Sequence, residues 1–186
     1  MKILGREKVY LGRLIDVEKI HVRLADGKER HYEMVNHADA VTLLPIDEKG
    51  MIYFVEQFRV GNGGRKMLEL PAGVIDPNEE PIDAAHRELR EETGFASKTL
   101  TLLTEFFMIV GYGDEFMHGY LAQDLYPAAL EPDDDENLTL KPIHISEAYK
   151  MLFNNGFDDG KTIIILSLAI PHLIKRFPEL HQVLKG

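Results

Sequence analysis

Three glutamates, Glu88, Glu91 and Glu92, stand three and four positions apart in the run Arg87-Glu88-Leu89-Arg90-Glu91-Glu92. On a helix with 3.6 residues per turn that spacing puts them on one face, with their carboxylates converging. Like charges at these spacings repel by about 0.2–0.5 kcal/mol per pair when solvated, and by more as the site dries. A cluster of this kind therefore calls for a cation. Magnesium suits it, because that ion prefers carboxylate oxygens, keeps several waters, and joins one or two protein carboxylates to substrate phosphates. Manganese is the natural substitute. The plain alternative is a solvated acidic face in which Arg87 pairs with Glu91 at i,i+4, and the flanking residues decide between the two.

The element that must carry these glutamates is well marked. Pro81 suits a first helical position, where its missing N–H costs nothing, and Gly94 suits the stop, which predicts a helix over 81–93. On it, Ile82, Ala85 and Leu89 recur at three- and four-residue spacing and predict the buried stripe. Upstream, Met67–Gly73 reads as a short strand stopped by Pro71, led in by the flexible loop Gly61-Asn62-Gly63-Gly64. Strands Ala40–Leu44 and Met51–Val55 precede it, joined by the polar turn Asp47-Glu48-Lys49-Gly50. Downstream the pattern predicts strands near 99–108 and 115–122, an acidic loop at 131–136, a strand near 138–145, and helices near 146–154 and 161–176. Residues 8–35 hold short alternating stretches around an Asp26-Gly27 turn, predicting an N-terminal antiparallel sheet. With no helix of its own, that sheet must pack on the main domain or on a partner chain.

Composition narrows the chemistry. A chain of 186 residues buries one good core with an appendage, and 45% hydrophobic with 28% charged residues is the balance of a soluble globular protein. Cysteine is absent, which excludes thiolate nucleophiles, disulfides and Cys-based metal sites. The eight histidines show no His-Glu-x-x-His arrangement, so zinc is not expected. With 31 acidic against 21 basic residues, the net charge of −10 opposes the phosphate attraction that drives nucleic-acid binding. The longest apolar run, Thr162–Ile170, is too short to span a bilayer and reads as a buried helix. The charged start Met1-Lys2-Ile3-Leu4-Gly5-Arg6 is unlike a signal peptide, so a cytoplasmic location is expected.

Read in full, Gly73-x5-Glu79-x7-Arg87-Glu88-Leu89-x-Glu91-Glu92-x-Gly94-Phe95 resembles the Nudix hydrolase signature at every defining position. The resemblance implies an α/β (α+β) fold of the Nudix type, an α/β/α sandwich with a mixed sheet. It also implies metal ligation by Glu88 and Glu92, with Glu91 and the Ala72 carbonyl, while Arg87 orients the glutamates. Tyr32-Glu33-Met34-Val35-Asn36-His37, Glu56-Gln57-Phe58-Arg59 and Leu68-Glu69-Leu70-Pro71-Ala72-Gly73 are similar to segments of ADP-ribose pyrophosphatases and related nucleotide-sugar hydrolases. In that branch an N-terminal sheet is exchanged between subunits, which implies a homodimer, with residues 1–38 as the dimerisation and substrate-contact region and 39–186 as the hydrolase domain.

The same resemblance places Arg59 on the substrate diphosphate, where its planar fork suits phosphate oxygens. Tyr32 and Glu69, in two of the similar segments, are counted with it as substrate contacts. For the residue that activates water, Glu136 in the acidic loop is the first candidate and Glu115 the second, with Glu91 completing the catalytic set. One departure is that Met108-Ile109-Val110-Gly111-Tyr112 stands where ADP-ribose pyrophosphatases carry a proline, which leaves the sugar and base open. The expected activity is magnesium-dependent cleavage of a nucleoside diphosphate sugar to a nucleoside monophosphate and a sugar phosphate. The competing readings are another Nudix substrate class (GDP-mannose, a dinucleoside polyphosphate or an oxidised nucleoside triphosphate), a non-catalytic nucleotide-sugar sensor, and a protein-interaction module.

Overall fold

Alternation of apolar and polar residues builds the first three strands, β1 (Lys2–Leu11), β2 (Ile15–Arg23) and β3 (Glu29–His37), paired antiparallel in the order β1-β2-β3. The computed structural model describes residues 1–131 and 137–185. Along β2, Glu18, Ile20 and Val22 are buried, one face of a period-two strand, and Arg6 neutralises Glu18 at 2.9 Å. Every residue of β1 is exposed, so the outer strand leaves its edge open. The chain divides into two compact units, and the first joins Met1–Ala40 to the distant segment Glu105–Met117. Backbone hydrogen bonds make that join, with Val35 N–H donating to Tyr112 O at 2.7 Å and Asp114 N–H to Val35 O at 3.2 Å.

The remaining elements lie mainly in the second unit, Val41–Thr104 with His118–Gly186. These are β4 (Ala40–Pro45), β5 (Met51–Arg59), β6 (Arg65–Glu69), β7 (Ala72–Val74), α1 (Pro81–Thr93), β8 (Phe95–Phe107), β9 (Phe116–Pro127), β10 (Leu138–His144), α2 (Ile145–Phe153), α3 (Gly160–Leu173) and α4 (Leu180–Val183). They form a four-stranded sheet in the order β7-β4-β9-β8 and a three-stranded antiparallel sheet in the order β10-β5-β6.

Helices cover both faces of the four-stranded sheet. On one face Val41 and Leu43 of β4 and Tyr120 and Ala122 of β9 pack on Ala84, Ala85 and Leu89 of α1. The alternate position Gly119 faces the other way, where a β-carbon would overlap the Ile165 side chain of α3, so a hydrogen there permits the close approach. This is the expected α/β/α sandwich. β4 is buried at all six positions, as a strand covered on both faces must be.

Two expectations need correction. The buried stripe of α1 uses Ala84, Ala85 and Leu89, while Ile82 in the first turn is 40% exposed. Periodicity gives the angle around the helix, but the sheet beneath decides which turns are covered. The apolar run at 162–170 is not buried all round. Ile165, Leu166 and Ala169 face inward, Ile163 and Leu168 are exposed, and Pro171 lies inside the helix, within the span the sequence predicts. No helix among the described residues is long and apolar enough to cross a membrane.

Candidate active site

The site grows out of α1. Pro81 opens the helix, and Gly94, in the left-handed region at φ 75°, closes it by donating its N–H to Arg90 O. Between them the Leu89 side of the helix locks onto the sheet, which fixes the azimuth of the glutamates. Glu88 and Glu92 are 5% and 4% exposed, unusual for carboxylates and costly without partners.

Arg87 is the main organiser. Its Nε and Nη2 donate to both oxygens of Glu79 at 2.9 and 2.8 Å, its Nη1 donates to Glu88 at 2.5 Å and Glu91 at 3.1 Å, and Nη2 also reaches Val74 O at 2.9 Å. The hydrogen bonds that Arg87 donates to Glu79 are the chief reason the guanidinium is held in its charged form, and Arg87 in turn holds the Glu79 carboxyl below its ordinary value. Both readings of the acidic face thus meet here. The i,i+4 pair of Arg87 and Glu91 exists, yet the face is half-closed and oriented, not freely solvated.

The strand end before the helix supplies the floor. Ala72 N–H donates to Glu92 at 3.0 Å. At Gly73 a β-carbon would overlap the Glu88 carboxyl group, so only a residue without one lets that carboxylate lie against the backbone. Of the predicted metal residues, Arg87 links Glu88 to Glu91 and the Ala72 N–H holds Glu92.

A second cluster lies one strand away. Glu69, at the end of β6 and 1% exposed, takes both fork contacts of Arg59, Nε at 2.6 Å and Nη2 at 2.9 Å. It also accepts a hydrogen bond from buried Lys161. Desolvation pushes the Glu69 carboxyl upward, but Arg59 and Lys161 outweigh it and the net shift is down. Glu69 is therefore buried and held by two protein cations. Arg59 is held charged first by Glu69, with a further contribution from Glu92, which puts it within electrostatic reach of α1.

Of the other predicted residues, two belong to the first unit. Tyr32, on β3 opposite Ile20, is 46% exposed and belongs to the first unit. So does Glu115, whose carboxylate lies 3.9 Å from His37 Nδ1. Glu136 lies outside the described residues. Sequence reading missed Lys161 and its neighbour Asp159. A signal existed, since a lysine in the first turn of a helix opposes the macrodipole and needs a local reason.

As a metal site the donors fit a hard ion better than zinc. Among the described residues no three His, Asp or Glu side chains form a ready cage, and Arg87 stands between Glu88 and Glu91. Magnesium takes most of its ligands from water and phosphate and asks for only one or two carboxylates. Glu88 and Glu92, pinned against the Ala72–Gly73 backbone, offer that donor set.

Comparison with known proteins agrees with this geometry. Residues 36–163 match the NUDIX domain. The chain belongs to the NUDIX family. It is 36% identical over 163 residues to the ADP-ribose pyrophosphatase of Bacillus subtilis (strain 168), a match spanning 87% of this chain and 88% of that one. It is 33% identical over 169 residues to the ADP compounds hydrolase NudE of Escherichia coli (strain K12), spanning 90% of each. The crystal structure of an ADP compounds hydrolase superposes with a TM-score of 0.84 at 31% identity, covering 95% of both chains. The expected family and sandwich fold are borne out, and a Nudix pyrophosphatase of the nucleotide-sugar class agrees with these relatives.

Proposed function

We propose that this chain hydrolyses the diphosphate bridge of a nucleoside diphosphate sugar of the ADP-ribose type, releasing a nucleoside monophosphate and a sugar phosphate. One observation carries the reading. Glu79, Glu88 and Glu91 share the Arg87 guanidinium, and Glu88 and Glu92 are buried carboxylates on the same helix beside the Ala72–Gly73 backbone. The similarity to a pyrophosphatase and a hydrolase of ADP compounds supports the choice of substrate.

In this reading Glu88 and Glu92, with Glu91 and the Ala72 carbonyl, hold magnesium, with manganese as a substitute. When bound, the metal neutralises the diphosphate charge and makes bound water more acidic. Arg87 keeps the glutamates aimed. Arg59 offers the edge of its guanidinium not used by Glu69 to the diphosphate oxygens. Glu136, or failing it Glu115, takes the proton of the attacking water, so no covalent enzyme intermediate forms. Residues 1–38 contact the nucleoside through Tyr32 and pair with a second copy in a homodimer, as the wholly exposed β1 supports. A net charge of −10 favours a small substrate over nucleic acid. A cytoplasmic location goes with a nucleotide-sugar substrate.

The test is a panel of nucleotide sugars assayed with magnesium and product identification, run beside Glu92→Gln. The substitution keeps size and removes charge, and turnover is expected to fall at least about 100-fold, or about 2.7 kcal/mol of barrier. A folded Glu92→Gln protein within about threefold of wild type, roughly 0.7 kcal/mol, overturns the proposal.

A further inference from the structure

Lys161 is an unusual residue to bury. It is 7% exposed, it lies in the first turn of α3 against the helix dipole, and its Nζ bridges Glu69 and the Asp159 carboxylate, the latter at 3.0 Å. Asp159 is itself fixed as the N-cap of α3, accepting from Thr162 N–H at 3.0 Å and from the Thr162 hydroxyl at 2.6 Å. That hydroxyl accepts from Leu70 N–H at 2.8 Å, which ties the start of α3 to the chain between β6 and β7. Two carboxylates and two cations, Glu69 and Asp159 with Arg59 and Lys161, thus form one network at the edge of the proposed site.

Buried ion pairs are poor stabilisers, since well-packed apolar side chains of the same volume do as well or better. The network has another use. Glu69 spends both oxygens on the Nε and Nη2 of Arg59, and Nη1 has no partner among the described residues. Arg59 is 42% exposed at its side chain, so one edge of its fork is clamped and the other is open. If Lys161 were neutral, Arg59 would be the sole cation on Glu69 and Asp159 would be left without its lysine. The guanidinium would then be drawn toward the protein carboxylates and would offer less to a phosphate oxygen.

We infer that Lys161 is a positioning residue, which together with Asp159 fixes Glu69 and so presents the open edge of Arg59 to the substrate diphosphate. This rests on the nucleotide-sugar reading above. Its signature is in substrate binding, because Lys161 reaches the substrate only through Arg59.

The experiment compares wild type, Lys161→Met, Arg59→Met and the double variant, with ADP-ribose and saturating magnesium. Lys161→Met is expected to raise KM about fivefold or more with kcat within about twofold. The double variant is expected to match Arg59→Met, since the lysine acts through the arginine. Lys161→Gln, which keeps a donor without the charge, serves if the methionine variant does not fold and is expected to show the same rise in KM. An unchanged KM in either folded variant, or KM effects that multiply in the double variant, overturns the inference. Failure of both variants to fold also overturns it, by making the lysine a stability residue. A wild-type protein inactive on ADP-ribose strikes the proposed function itself, and this inference falls with it. An active wild type with indifferent Lys161 variants strikes this inference alone.

Discussion

Replacing Arg87 with methionine removes one cation from a site that holds three carboxylates around it. Methionine keeps the apolar stem of the side chain but not the guanidinium, so the charge and its hydrogen bonds are lost together. Five hydrogen bonds are lost, four of them to Glu79, Glu88 and Glu91 and one to Val74 O. Breaking a buried pair by removing one partner costs about 3–5 kcal/mol. Arg87 is 26% exposed, so solvent screens part of this, and the contacts are not additive. A loss of about 2–4 kcal/mol follows, or about 5–15 °C in Tm for a chain of this size.

Magnesium should return much of it. The variant carries the same carboxylates with less positive charge, so the ion binds it more tightly, and a ligand at 100 times its Kd adds about 2.7 kcal/mol. Acid gives an independent check. Glu79 is held below its ordinary value of 4.5, chiefly by its hydrogen bonds from Arg87. A carboxyl with a lowered folded pKa stabilises above its unfolded value and loses that contribution as pH falls through the folded one. The gap between wild type and Arg87→Met should therefore be full near pH 7 and shrink as pH drops below about 4.5. Calorimetry in EDTA, in saturating magnesium and across pH reads all three effects. A loss under about 0.5 kcal/mol, or an equal rise in Tm with magnesium in both proteins, refutes the reasoning.

At Gly73 the added methyl of Gly73→Ala meets the Glu88 carboxyl, so the carboxylate or the backbone must move. A stability loss of about 1–3 kcal/mol is expected from the overpacking, together with a fall in kcat of about 100-fold or more, read by thermal melts and steady-state turnover. Near-wild-type turnover in a folded Gly73→Ala protein would show that Glu88 need not lie against that backbone. The proposed homodimer is checked by light scattering at micromolar concentration, where a mass near 42 kDa is expected from two chains of 21.2 kDa, and a monomer would sink the exchanged-sheet proposal.

What the sequence by itself determined was local. Pro81, Gly94 and the three- and four-residue spacing between them define α1 without help from the rest of the chain, because caps and helical period act within a few residues. The glutamates on that helix, the glycine at 73 and the family signature they compose were legible for the same reason. The N-terminal strands were legible too, since period-two alternation and an Asp-Gly turn are neighbours in the chain.

Only the tertiary structure decided what those pieces face. Nothing near Ile82 says that the sheet covers Ala84 instead, because that depends on where β4 and β9 pass beneath the helix. Glu69 reads as a strand residue ready for substrate until Lys161, 92 positions later, is brought against it and closes it off. The partners of β3 at Tyr112 and Asp114 are likewise distant in the chain. Periodicity reports a residue's direction relative to its own element, whereas burial and ion pairing depend on elements brought together across long loops. The sequence therefore names the clustered glutamates, and the packed fold determines which partners hold each carboxylate.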